Sequence, residues 1–275
     1  MKVNLFTFLI RCEPFASSVR KMCVYILKIM TKTTIIRFLN SLDKLPGYIK
    51  NYRSQVSLPK YLHEVMIGLL LSDGSLEITS KTSSARLSVV FGLKHASYLL
   101  HLYSLFEPYI NGGPDVASVY NKKTKSNNVV IKFKTQSLLS LVYYYNLFYK
   151  LNSNGKYVKC IPVNIDLLVT PVVLAHLIMG DGNLKLPDLI IRIYTNSFTK
   201  EEVERLALAI TNKLNIRTRA VHDRNGQYML AISKDQLPLV RVLLTAHMHP
   251  SMYYKLGLEQ SSSYSFNYSL IKDKI

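Results

Sequence analysis

The chain has 275 residues, 48% of them hydrophobic, with 19 Tyr and 10 Phe. That suffices for one large domain, or two modest ones sharing a core, and excludes a disordered basic tail. Lys and Arg number 35 against 17 Asp and Glu, a formal charge of +18, which points to a polyanionic partner, nucleic acid above all, because phosphates neutralise self-repelling positive charge. Cys12, Cys23 and Cys160 are too sparse for a disulfide scaffold or a zinc site, and the longest apolar runs fall short of a bilayer span, so a soluble chain is expected.

Taken in order, residues 1–60 carry 11 Lys and Arg against only Glu13 and Asp43. Their opening is too short, and too poorly followed by small residues, for a signal peptide; a basic transit peptide and a loosely ordered extension both fit. Tyr61-Leu62-His63-Glu64-Val65 leads into an apolar helical run, Met66 to Leu71, that ends at Ser72-Asp73-Gly74. Arg86, Ser88 and Val90 then alternate with Leu87, Val89 and Phe91, and Val129, Ile131 and Phe133 alternate with Val130, Lys132 and Lys134. Period two places one set inward and the other on an exposed sheet face. Residues 121–128 read as a polar hairpin loop, and Tyr98 to Tyr109 and Gln136 to Tyr149 as aromatic-rich helices.

Residues 152–169 read as a linker, loop-like at Asn152 to Lys156 and broken by Pro162. Thr170-Pro171 then starts a second apolar helix with an N-cap residue and proline in the first turn. This helix ends Met179-Gly180-Asp181-Gly182. Arg192 and Tyr194 alternate with Ile191 and Ile193, and Thr199 with Glu202 makes a capping box for a helix whose Val203, Leu206, Ala207 and Ile210 face inward. Arg217 and Arg219 alternate with Ile216 and Thr218. A turn at Asp223-Arg224-Asn225-Gly226 precedes Gln227, Met229 and Ala231, which oppose Tyr228, Leu230 and Ile232. A helix over Gln236 to Ala246 closes the series, and residues 259–275 read as a tail. The expected fold is α+β: two pseudo-symmetric αββαββα halves, residues 61–151 and 170–258.

The repeated Asp-Gly carries the chemistry. A pair of carboxylates serves as metal ligands, as general acid and base, or merely as helix-end residues. One Asp-Gly after a helix is an ordinary C-terminal turn. Two at matching points of a repeat, in a chain of this charge, favour function. An acid at a helix C-terminus opposes the partial negative charge already there, and a divalent cation would remove that conflict while polarising a phosphodiester and water.

These motifs, with Lys159-Cys160-Ile161-Pro162 and Met252-Tyr253-Tyr254-Lys255-Leu256, make the chain resemble the LAGLIDADG homing endonucleases in their single-chain, two-motif form. The yeast mitochondrial intron-encoded type, typified by the omega endonuclease, is most similar, over roughly Leu62 to Leu258. The resemblance implies motif helices packed at a central interface and antiparallel sheets forming a DNA-binding saddle. It implies Asp73 and Asp181 as catalytic ligands of Mg²⁺, with Mn²⁺ or Ca²⁺ able to occupy the same sites. The carbonyls of Ser72 and Gly180 would add coordination, and Lys159 and Lys255 would orient water or stabilise the phosphate.

Close helix approach would use Gly68, Ser72, Ala175 and Gly180, while His176 stands where the family has glycine and puts symmetric contact in doubt. DNA contacts are expected from Arg86, Ser88, Lys132, Lys134, Arg192, Tyr194, Arg217, Arg219, Arg224 and Gln227, and from Lys122, Lys123 and Lys125 on the backbone. The implied activity is site-specific double-strand cleavage across the minor groove, leaving short 3′ overhangs on a long pseudo-palindromic target. The implied setting is the mitochondrial matrix, with an organelle-encoded monomer needing neither membrane nor protein partner. Two alternatives stay open: an RNA maturase assisting group I intron splicing, and a cleavage-inactive DNA-binding relative.

Overall fold

The computed structural model describes residues 57–80, 83–121 and 125–259. Most of the expected N-terminal extension and tail lie outside them, as do Cys12, Cys23, Lys122 and Lys123. Among the described residues one succession of elements occurs twice. The first is α1 (Lys60–Leu71), β1 (Ser75–Glu77), β2 (Arg86–Gly92), α2 (Ala96–Phe106), β3 (Asp115–Asn121), β4 (Ser126–Lys134) and α3 (Leu139–Phe148). A hairpin of β5 (Tyr149–Leu151) and β6 (Tyr157–Lys159) follows. The second is α4 (Pro171–Asp181), β7 (Gly182–Lys185), β8 (Ile190–Tyr194), α5 (Lys200–Leu214), β9 (Thr218–His222), β10 (Tyr228–Ile232) and α6 (Leu237–Leu244). The sheets have matching antiparallel orders, β1-β2-β4-β3 and β7-β8-β10-β9. The fold is α+β, as expected.

Local chemistry explains the helix starts. The Thr170 hydroxyl accepts from the Val173 amide with Pro171 in the first turn, and Thr199 and Glu202 complete the capping box of α5. Both motif helices are apolar all round and correspondingly buried, over Val65 to Leu71 and Val172 to Met179. They sit in one continuous core with Leu87, Val89, Ile131 and Phe133 from the first sheet and Ile191, Ile193, Leu230 and Ile232 from the second. The Thr170 hydroxyl also donates to Glu64 Oε2 at 3.1 Å, joining the start of α4 to α1.

Three expectations needed adjustment. The loop expected at 121–128 is shorter, because Ser126, Asn127 and Asn128 pair with Asn121, Tyr120 and Val119; a ladder bonds backbone, whatever the side-chain polarity. Gln136 stays outside α3, its amide donating to the Tyr109 carbonyl and its side chain to Asn111 Oδ1. The expected linker contains strand β6, whose partner β5 begins at Tyr149. No helix among the described residues is long and apolar enough to cross a membrane.

Candidate active site and nucleic-acid interface

Each motif helix closes on a backbone hydrogen bond from the glycine that follows its acid. The Gly74 amide donates to Leu69 O at 2.8 Å, and the Gly182 amide donates to Ile178 O. A Cβ at Gly74 would lie 2.9 Å from Leu69 O, and one at Gly182 2.5 Å from Ile178 O. Glycine after the acid is therefore a requirement of close approach, which fixes where each carboxylate emerges.

The helices pack by reciprocal size. A Cβ at Gly68 would stand 2.6 Å from His176 Cβ, and one at Gly180 would stand 2.5 Å from Ser72 Oγ. These are corresponding positions in the two motifs, so glycine on each helix receives the larger residue of the other. This corrects the doubt raised by His176, whose bulk occupies room left by Gly68. Its Nδ1 lies 2.8 Å from the Tyr98 hydroxyl, and burial, with smaller contributions from His101 and His247, lowers its pKa to about 3 and keeps it neutral. The Ser72 hydroxyl donates to Gly68 O at 3.0 Å, and Ala175 is fully buried.

The same packing brings the acids together. Asp73 Oδ2 is 3.3 Å from the point a Cβ on Gly180 would occupy, one residue from Asp181. Asp73 keeps an exposed face, yet the protein behind it desolvates the carboxylate and raises its pKa against the pull of Lys255 and Lys159. Burial and then the charge of Asp73 push Asp181 up to about 7, again opposed by the two lysines. Lys159 Nζ donates to the carbonyls of Ser72 and Gly74, both at 2.7 Å. Lys255 Nζ donates to those of Met179 and Gly180, both at 2.6 Å. Each lysine thus neutralises the negative end of one motif helix, while its strongest charge contact is with the acid of the other. Burial lowers both lysines to about 8.

Among the described residues, no group of three or more His, Cys, Asp or Glu side chains could hold a metal ion. A cation at the acids would therefore draw on two carboxylates, backbone carbonyls and whatever approaches from outside. Ser72 O and Gly180 O already accept from the lysines, which leaves each a second lone pair.

The sheet residues divide into three groups. Arg86, Lys132 and Arg192 are half-buried, as is Gln227; Lys125, Lys134, Tyr194, Arg217, Arg219 and Arg224 are exposed. Several are engaged by acids that pattern reading passed over. Glu77 takes Arg86 at 2.9 Å and Lys134 at 3.0 Å; Asp115 takes Lys132 at 3.1 Å, Asp235 takes Arg217, and Asp223 stands 3.9 Å from Arg224. Ser88 departs from expectation. It is 4% exposed, because it pairs with Ser75 and Lys134 on either side and the Lys134–Glu77 bridge spans from β4 to β1 across β2. Ser88 has no free surface for DNA. The signal for Glu77 was its register opposite Arg86, which only the paired strands reveal.

Residues 63–239 match the model of the LAGLIDADG DNA endonuclease family. The chain is 30% identical to the cytochrome b mRNA maturase bI2 of Saccharomyces cerevisiae over 70% of its own length, and spans about half of that protein, 46%. It is 27% identical to the DNA endonuclease I-ChuI of Chlamydomonas applanata, covering 74% of this chain and 97% of that one. In fold it is similar to the homing endonuclease I-WcaI bound to its DNA recognition sequence, with a TM-score of 0.66 and 23% identity over 78% of this chain and 93% of that one.

Proposed function

Since the chain belongs to the LAGLIDADG DNA endonuclease family, we propose that it is a monomeric intron-homing enzyme, acting in the mitochondrial matrix, that recognises a long pseudo-palindromic duplex and cuts both strands across the minor groove. The observation that carries this reading is the meeting of Asp73 and Asp181 at the ends of two packed helices. Cleavage would leave short 3′ overhangs, one acid serving each strand.

The donor set fits a divalent cation. Two desolvated carboxylates that repel each other, beside backbone carbonyls, are hard oxygen donors, and Mg²⁺ is commonly held by one or two carboxylates together with substrate phosphates and water. Asp73 and Asp181 would hold it, with Ser72 O and Gly180 O as further donors; Mn²⁺ and Ca²⁺ accept the same atoms. When bound, the ion would supply charge neutralisation and polarisation of the phosphodiester and its attacking water. The rest of the work belongs to the chain itself. Lys159 and Lys255 fix the carbonyls at both helix ends and bring positive charge to the place where negative charge grows in the transition state. The exposed basic residues of both sheets grip phosphate or base edges in the major groove, on either side of the acids. Exposed ion pairs such as Arg217–Asp235 are worth at most about 1 kcal/mol, so DNA phosphates can displace their acids.

Supercoiled plasmid carrying the uninterrupted host-gene junction tests the reading. Mg²⁺-dependent cutting should be lost in Asp73→Asn and Asp181→Asn while binding persists. The maturase relative favours a second reading, an RNA-binding splicing cofactor. Splicing of the encoding group I intron that is stimulated equally by wild type and both Asn variants, with no plasmid cutting, would select it.

A further inference from the structure

The two lysines arrive by different routes. Lys255 lies on a 3-10 helix, Pro250–Leu256, whereas Lys159 ends the β5–β6 hairpin, which has no counterpart in the second succession among the described residues. Within the hairpin Tyr149 pairs with Lys159 and Leu151 with Tyr157. These four side chains therefore share one face, and Lys150 and Val158 take the other. The inner end of the shared face is pinned at the acids: Lys159 holds Ser72 O and Gly74 O, and the Tyr149 hydroxyl accepts from the Leu76 amide at 3.0 Å. Tyr145 of α3 stacks flat on Tyr149, ring centroids 4.7 Å apart and planes 8° apart, with the Tyr157 ring 5.5 Å away. The outer end is open, Leu151 being 61% and Tyr157 60% exposed.

We infer that this hairpin face is a DNA contact made by the first half alone, in which Leu151 and Tyr157 pack against the sugar edges of the minor groove flanking the cut. The inference rests on the endonuclease reading and adds to it a source of asymmetry. Two observations select the occupant. The first is continuity: Tyr157 stands two steps along the strand from Lys159, about 7 Å, so a duplex whose minor groove lies over the acids passes directly beside the exposed ring. The second is charge: Lys156, exposed beside Tyr157 where the hairpin turns, matches a phosphate backbone. Apolar and aromatic side chains are the groups that enter the minor groove at base steps, and the Tyr157 ring is seated beside Tyr145 of the Tyr145–Tyr149 stack. A pseudo-palindromic target held this way acquires a direction, because only one flank meets the hairpin.

The test uses the full chain and duplexes selected for cleavage by wild type from a randomised pool; failure of wild type to select or cut any duplex would overturn the endonuclease reading itself, before any variant is made. With those duplexes, Leu151→Ala/Tyr157→Ala should bind about tenfold more weakly, the scale of an aromatic contact to nucleic acid, and lose protection over one flank only. The single change Tyr157→Ser should show the same one-sided loss to a smaller degree, and Val158→Ala, on the opposite face, should bind like wild type. Unchanged affinity and footprint in the double variant, a loss spread equally over both flanks, or a loss confined to intron RNA would each overturn the inference.

Discussion

Replacing Gly180 with alanine probes the contact on which the paired acids depend. A Cβ there would lie 2.5 Å from Ser72 Oγ, 2.6 Å from Ser72 Cβ and 3.3 Å from Asp73 Oδ2. Comfortable contact needs about 3.5 Å, so α1 and α4 must part by about 1 Å at this level. Overpacking of this kind costs about 1–3 kcal/mol, and about 2 kcal/mol would lower Tm by about 4–8 °C in a domain of this size. The chemistry should suffer more, since a misplacement of about 1 Å can cost about 10²-fold in rate. Ser72→Gly removes both clashing atoms. In that background Gly180→Ala should be neutral or favourable, because alanine is preferred over glycine in a helix by about 1 kcal/mol. Thermal unfolding and single-turnover cleavage, arranged as a double-mutant cycle, measure the coupling. Additive effects, or a Gly180→Ala protein with wild-type Tm and rate, would refute the packing.

Asp181→Asn should abolish double-strand cleavage while leaving affinity near wild type; a large loss of binding would count against its assigned role. The same variant reports on pH. Because Asp181 is raised from 3.8 to about 7, the folded chain keeps a proton between about pH 4 and pH 7 that the unfolded chain has released. Stability without metal therefore falls as pH rises through that window, and Asp181→Asn should raise Tm in EDTA above pH 7 and lose the advantage near pH 4. A Tm gain independent of pH would contradict the desolvated carboxylate. Arg217→Ala should cost about 1–3 kcal/mol of binding on the target alone if the side chain reads a base, whereas an equal loss on every duplex would identify a phosphate contact.

What could be read from the sequence was whatever a few neighbouring residues decide. Thr199 and Glu202, or Thr170 and Pro171, cap their helices through contacts within one turn, and the alternation through Leu87, Val89 and Phe91 needs no knowledge of the partner strand. The acids were legible because the Asp-Gly step recurs. Pairing across the chain was not legible. Glu77 reaches Lys134 over 57 residues, and Tyr98 reaches His176 over 78. Ser88 obeys the alternation yet is roofed by a bridge between strands on either side of it. The β5–β6 hairpin escaped notice because Tyr149 closes an aromatic helical pattern equally well, and only its partner Lys159 draws it into a ladder.

The glycine-to-larger-residue matching between the motif helices limits how this protein can be rebuilt. Two copies of the first helix would oppose Gly68 to Gly68, leaving a hole, and Ser72 to Ser72, where the backbones leave no room. Two copies of the second would set imidazole against imidazole at His176. Chimaeras exchanging one half for that of a relative should thus assemble only when both donor positions, the third and the seventh of the motif, travel as a matched set.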